Sequence, residues 1–358
     1  NKMHRKFLIY LFLKKIFLVF FIFLCLVFVL NLFDEVSFFK DISSNIFLPL
    51  LTTSLNSPSI IYLIFPFIFL IAAQLFFIDL IEKNELDLFK INGYTNIKIV
   101  SFIGIVSFVL GILIVLIFYN FSSKLKFIYL DLKNSYSLDD KYLAVINQNG
   151  LWIKDVIDNE TYIVNATKIE GDTIKNVTIS IYNTDFDVLK IISSKTVDIS
   201  NNKWIIKKPT IFVENNSSKS EQDIILSTNF DIIKINSLFK NLSALNFYQL
   251  YQLKKDYLNI NYSFQEIDIH IKKLISFPVY MTIMSILSSI IMLNIKRNNS
   301  QIVYLLIGIF SSVTIYYINV LSQTLGTNEA IPLDLSIWMP MIILSIIIMI
   351  GLVRINEK

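Results

Sequence analysis

Six stretches of this chain are apolar enough to be at home in lipid: Ile16–Phe33, Ser59–Ile78, Ile99–Phe121, Leu274–Asn294, Ile302–Leu321 and Leu335–Val353. Each is close to the roughly 20 residues that a helix needs to cross a bilayer core. Inside hydrocarbon every backbone N–H and C=O must find its partner within the protein, so each stretch is expected to be a helix. Neither Asp, Glu, Lys nor Arg stands inside any of them. The composition agrees, with 54% hydrophobic and 17% charged residues, which is outside the soluble globular range. The first stretch has the basic flank of a signal peptide in Arg5, Lys6, Lys14 and Lys15. It is too long for one and has no small-residue cleavage site, so it reads as an uncleaved span.

Charge sets the orientation. Outside the polar middle of the chain there are thirteen basic residues, and alternating spans put twelve on one side, leaving only Lys40 on the other. The positive-inside tendency makes that side cytoplasmic. It carries both termini, the Glu82–Lys98 loop and the Lys296-Arg297 loop. Asp34–Pro58, Ser122–Lys273 and Gln323–Asp334 are expected on the opposite face. The net charge of +4 gives little support for a nucleic-acid partner.

The middle region has another period. In NVTISIY, Val177, Ile179 and Ile181 alternate with polar residues as in a half-buried strand, and TVDIS and KWIIK continue in that style. Turn-forming runs such as NQNG, EGD, NTD, SNN and ENNSS separate them. Short antiparallel strands at this spacing suggest a sandwich, jelly roll or small barrel. After about Asn241, LSALNFYQLYQLKKDYL returns to a helical pattern. The organisation is therefore spans 1–3 over residues 1–121, a β domain over 122–241, a connecting helical segment over 242–273 and spans 4–6 over 274–358.

Catalytic chemistry is sparse. The two histidines, His4 and His270, have no cysteine, serine elbow or carboxylate cluster at motif spacing, and both read as satisfied or solvated. No phosphate-binding loop occurs, so no ATP hydrolysis is expected from this chain. Asp155, Asp158, Asp185 and Asp187 are scattered through turns and read as a solvated surface, not a metal site. Cys25 is the only cysteine. Spans without ionisable groups argue against ion-coupled transport, which keeps such groups at mid-membrane. Energy for any work would come from a partner.

The polar stretch between spans 2 and 3 is the most informative. In NELDLFKINGY, Asn84 suits a helix cap, Glu85 and Asp87 suit the positive N-terminal end, and Gly93 suits the stop. This gives a helix within residues 82–98, expected to expose Leu86, Phe89 and Lys90. It is either an interfacial joint between spans or a coupling helix docking on an ATPase subunit.

NELDLFKINGYTNIKI resembles the cytoplasmic segment of the lipopolysaccharide export permeases, the LptF and LptG family. Glu85, Leu86, Gly93 and Tyr94 stand at matching places, and Phe89 stands where Met or Leu is usual. QNGLWIKD, ISIYNTDFDVLKIISSKTVDISNNKWII, NLSALNFYQLYQL, SFPVY and IPLDLSIWMP follow that family's order over nearly the whole chain. GLWIKD and IPLDLSIWMP are closer to the LptG paralogue.

The resemblance implies an α-helical integral membrane protein of the bacterial inner membrane, with six transmembrane helices and an inserted periplasmic all-β domain, a β-jellyroll. It implies a permease subunit rather than an enzyme, paired with an LptF-type six-span paralogue. The expected partners are an LptB-type ATPase dimer that binds ATP and Mg, an LptC-type single-span protein and a periplasmic LptA-type bridge. Glu85, Leu86, Phe89, Lys90, Gly93 and Tyr94 become the ATPase-coupling element, and no cofactor or metal is expected in this chain. Phe21, Phe28, Ile309 and Tyr316 become liners of the lipid gate between the first and fifth spans of facing subunits. The family tends to place basic residues at the outer end of span 1 to meet lipid phosphates. Here that zone holds Asn31, Asp34 and Glu35, with only Lys40 positive. The alternatives are an ABC permease for another lipid or lipoprotein, or a membrane-anchored β-domain binding or sensor protein.

Overall fold

A computed structural model of the chain describes residues 2–40, 47–136, 143–147, 150–157, 160–184, 187–213, 216–228, 230, 241–259, 264–294 and 300–356. Lys296, Arg297, Gln148, Asp158 and Asp185, used above, lie outside these residues. Among the described residues six helical stretches are long and apolar enough to cross a membrane. Span 1 is α1 (Lys2–Phe39), span 2 is α2 (Phe47–Glu82), and a short α3 (Glu85–Ile91) follows. Span 3 is built from α4 (Asn96–Leu113), a π-helical turn (Ile114–Tyr119) and α5 (Asn120–Tyr136). After the strands come α6 (Phe247–Asn259) and spans 4 to 6: α7 (Gln265–Leu293), α8 (Gln301–Thr327) and α9 (Leu333–Asn356).

Except at the C-terminal end of span 4, the helices overrun the apolar stretches at both ends. Helix propagation costs little once a span is nucleated, so polar flanks continue the turn until a breaker intervenes. Span 3 therefore continues through Ser122, and the first strand starts only at Leu143.

Side-chain contacts fix two ends of the bundle. His4 and Ile355 both meet the α3–α4 region: His4 packs on Phe89, and Asn96 Nδ2 donates to the Ile355 carbonyl at 3.4 Å. At the other end, where the strands are inserted, Lys272 pairs with Asp334 at 2.8 Å and Ser322 Oγ donates to the Ser336 carbonyl. Spans 2 and 4 form the packed centre, with 67% and 61% of their apolar windows buried against 17% for spans 1 and 5. Small polar residues let backbones approach there. Ser107 Oγ donates to Ser285 Oγ at 2.8 Å, and Ser288 Oγ donates to the Leu70 carbonyl at 2.7 Å.

Past the end of the first apolar stretch Asp34 is exposed, whereas Glu35 is 1% exposed and accepts from the Tyr129 hydroxyl at 2.8 Å. The overrun of span 3 brings Tyr129 there, and with it Lys126, which donates to Asn56 Oδ1. Asn56 in turn donates to Asn31 Oδ1 at 3.0 Å. Asp79, just past the end of the second apolar stretch, pairs with Lys15 at 2.7 Å.

The inserted unit is an antiparallel sheet of β1 (Leu143–Asn147), β2 (Gly150–Ile157), β3 (Glu160–Glu170), β4 (Thr173–Tyr182), β5 (Val188–Asp198), β6 (Lys203–Lys207), β7 (Thr210–Val213), β8 (Asn216–Lys219) and β9 (Ile224–Ser227). The order is β1-β2-β3-β4-β5-β6-β9, with β7 and β8 branching from β5. Val177, Ile179 and Ile181 are buried in alternation, as the sequence period requires. Residues of β2 and β3 share one pocket with Trp204 of β6 and Leu226 of β9. In a flat sheet β2 and β6, four places apart, would be about 19 Å from each other, so the sheet folds over on itself around an apolar interior. Asp155 lies in that interior at 2% exposure, which corrects its reading as a solvated surface residue. Strand alternation put it on the inner face beside Ile153 and Ile157.

Trp204 Nε1 donates to the Phe230 carbonyl at 2.8 Å, and Thr228 Oγ1 donates to the same oxygen at 3.0 Å. Trp204→Phe leaves the acceptor paired, so the lost hydrogen bond costs only about 1 kcal/mol, and with the void left by the smaller ring the total is expected to be roughly 2–3 kcal/mol. Hydrogen exchange across β6 and β9 in the full chain would measure it. Loss of protection over the whole sheet would show that the estimate is too small.

Candidate functional site

The loop between spans 2 and 3 is compact. Helices α2 and α3 are separated by Lys83 and Asn84 alone. Asn84 turns the chain in the left-handed region, φ 54°, and makes no side-chain cap, contrary to its expected role. A turn this short needs the left-handed backbone that Asn tolerates better than most residues. The α3 carboxylates still suit its positive end: Asp87 is exposed, and Glu85 is half-buried with Oε2 enclosed and unpaired.

The C-terminal stop is a Schellman motif. The Tyr94 N–H reaches the Phe89 carbonyl and the Gly93 N–H the Lys90 carbonyl, each at 3.0 Å. Gly93 sits at φ +81°, and the Tyr94 and Phe89 rings supply the accompanying apolar contact at 5.7 Å between centroids. Thr95 then caps α4, accepting from the Lys98 N–H. Gly93→Ala meets no atom within 4 Å, so its cost is backbone strain alone, roughly 1–2 kcal/mol. Faster hydrogen exchange at Gly93 and Tyr94 is the expected result, partly reversed in Gly93→Asn.

Leu86 and Phe89, expected outward, point inward at 9% and 6% exposure. Phe89 is enclosed by aromatic rings: His4 at 5.6 Å, Phe7 at 6.2 Å and Tyr94 at 5.7 Å. The faces of α3 are inverted relative to the expectation. Leu88 and Ile91, 57% and 81% exposed, form the outward apolar pair, flanked by exposed Asp87 and Lys90. Both pairs have the i, i+3 spacing of one helix face. The rings waiting on span 1 decide which pair goes in.

The four residues expected to line a gate are not brought together within the chain. Phe21 lies on span 1, 56% exposed, and Phe28 is partly covered. Ile309 and Tyr316 lie on span 5, where Tyr316 packs on Phe67 of span 2. Spans 1 and 5 each pack chiefly on the core and leave long apolar faces open. Lys40 ends span 1 and is exposed. Among the described residues no cluster of His, Cys, Asp or Glu could hold a metal ion. His270 has a partner, the Tyr119 hydroxyl at 3.0 Å from Nε2. The π-helical turn that ends at Tyr119 carries no local sequence signal.

The family described as lipopolysaccharide export system permease LptF/LptG matches residues 6–354. The chain belongs to the LptF/LptG family. No curated protein matches it. Like others of its family it is a transporter permease of the lipopolysaccharide export system, a multi-pass membrane protein with a β domain inserted after the third span. In this LptF/LptG permease the exposed end of α3 and the open faces of spans 1 and 5 are among the surfaces that its own fold leaves uncovered.

Proposed function

We propose that this chain is one half of an ATP-driven permease that extracts lipopolysaccharide from the inner membrane and passes it to a periplasmic bridge. Its termini and α3 face the cytoplasm, and its β domain faces the periplasm. The observation that carries this reading is the Leu88–Ile91 knob on α3. A two-turn helix is locked at its stop and buttressed by span 1 rings, yet presents two large apolar side chains outward. Such a patch beside charged neighbours suits a cleft on a nucleotide-binding subunit, an LptB-type dimer.

The open apolar faces of spans 1 and 5 suit a second six-span subunit, an LptF-type paralogue if this chain is LptG, with an LptC-type single-span protein alongside. Phe21 and Phe28 on one helix and Ile309 and Tyr316 on the other would then meet across the dimer. Lipid A carries several acyl chains, and each methylene costs about 0.8 kcal/mol on leaving hydrocarbon. Passive extraction is prohibitive, so ATP bound with Mg in the partner must supply the work. The folded-over sheet, with its apolar interior, offers a shielded path for the chains. Lys126, held beside Asn56 and Asn31, places a cation where span 1 itself has few.

Co-purification of the chain in mild detergent tests the assembly. A nucleotide-binding subunit and a second six-span subunit are expected with it. Recovery of the chain alone, under conditions that keep it folded, would refute the reading.

A further inference from the structure

At the insertion end of the bundle a small pocket opens between spans 2, 4, 5 and 6. Its apolar walls are Leu63, Phe277, Val320 and Met341, and its polar lining includes Lys273 and Asn319. Asn319 is 7% exposed and stands against the Tyr280 hydroxyl, also on the lining; that hydroxyl is enclosed, and the Asn319 Nδ2 has no acceptor within hydrogen-bond distance.

Lys273 differs from the lysines near it. Lys272 pairs with Asp334 and Lys254 with Asp268, but no carboxylate among the described residues pairs with Lys273. From Lys273 to Tyr280 the helix advances about 10 Å. The pocket therefore covers the depth at which headgroups give way to acyl chains. A lone ammonium facing an apolar cavity there is costly unless an anion meets it. A cation and an amide N–H over hydrocarbon walls match a phosphate carried on an acyl stem.

We infer that this pocket holds one anionic glycerophospholipid, its phosphate on Lys273 and Asn319 and an acyl chain between Leu63, Val320 and Met341. Lipid A shares the phosphate-on-acyl chemistry, and displacement by lipid A separates the two sources. The inference rests on the membrane reading alone and not on any ATPase partner.

The test is native mass spectrometry of the full chain released from nanodiscs containing phosphatidylglycerol or phosphatidylcholine. One retained phosphatidylglycerol and little phosphatidylcholine are expected. Lys273→Gln should weaken retention about tenfold or more, as loss of a charge-assisted contact does. Lys273→Arg should restore most of it, and Lys272→Gln should change nothing. Met341→Trp, which fills the cavity, should abolish retention while hydrogen exchange shows an intact bundle. Equal retention of the two lipids, or wild-type retention by Lys273→Gln, overturns the inference. Displacement of phosphatidylglycerol by stoichiometric lipid A would overturn it in favour of the cargo.

Discussion

Leu88→Asp together with Ile91→Asp is expected to weaken association with the nucleotide-binding subunit by more than about 100-fold without unfolding the permease. Both side chains stand outside the core, so their loss removes no internal packing. Burying each in a partner's cleft is worth roughly 1.5–3 kcal/mol. Losing both removes at least about 3 kcal/mol, and about 1.4 kcal/mol is a factor of ten in affinity. The inward pair behaves differently. Phe89→Ala empties the space beside His4 and Phe7, Leu86→Ala removes a second buried side chain, and each should cost roughly 2–5 kcal/mol of stability. Affinity measured on detergent-solubilised permease, beside its thermal unfolding, separates the two outcomes. If Leu86→Ala alone abolished binding while the fold held, the assignment of faces would be wrong.

Gly308→Ala should be nearly as damaging, through the joint between spans 2 and 5. Gln74, fully buried on span 2, donates from Nε2 to the Tyr304 and Leu305 carbonyls of span 5 at 3.0 and 3.4 Å. A Cβ on residue 308 would lie 2.0 Å from that nitrogen, so the amide must leave its seat. A buried donor stranded in this way costs roughly 1–3 kcal/mol, and displacing the side chain into a packed core adds roughly 1–3 kcal/mol more. Gln74→Ala in the Gly308→Ala background removes both the clash and the orphaned donor. The double variant is thus expected to be more stable than Gly308→Ala alone, with a coupling above about 1 kcal/mol. Additive losses in thermal unfolding would show that the two residues do not share this joint.

The spans were legible because hydrocarbon allows few ways to satisfy a backbone. Their ends were not, because polar residues such as Ser122 to Tyr136 continue a helix as readily as they begin a loop. Gly93 could be placed from sequence, since a helix stop with positive φ leaves little choice of residue. The facing of α3 could not, since Leu86 with Phe89 and Leu88 with Ile91 are equally good apolar pairs. What distinguishes them is His4 and Phe7, some eighty residues away in sequence. Lys272 and Lys273 are likewise indistinguishable until Asp334 is brought beside one of them. Asp155 looked like a turn residue until the sheet folded over it.

The central claim is that α3 carries the work of ATP hydrolysis into lipid release. It is tested most directly by reconstituting the permease with its nucleotide-binding subunit and a second six-span subunit in proteoliposomes loaded with lipopolysaccharide. The release of lipid to a soluble acceptor is then followed. Release by the unaltered permease should require ATP, and the Leu88→Asp, Ile91→Asp variant should release none above the nucleotide-free background. Release by that variant at the unaltered rate, or release by either without ATP, would contradict the account.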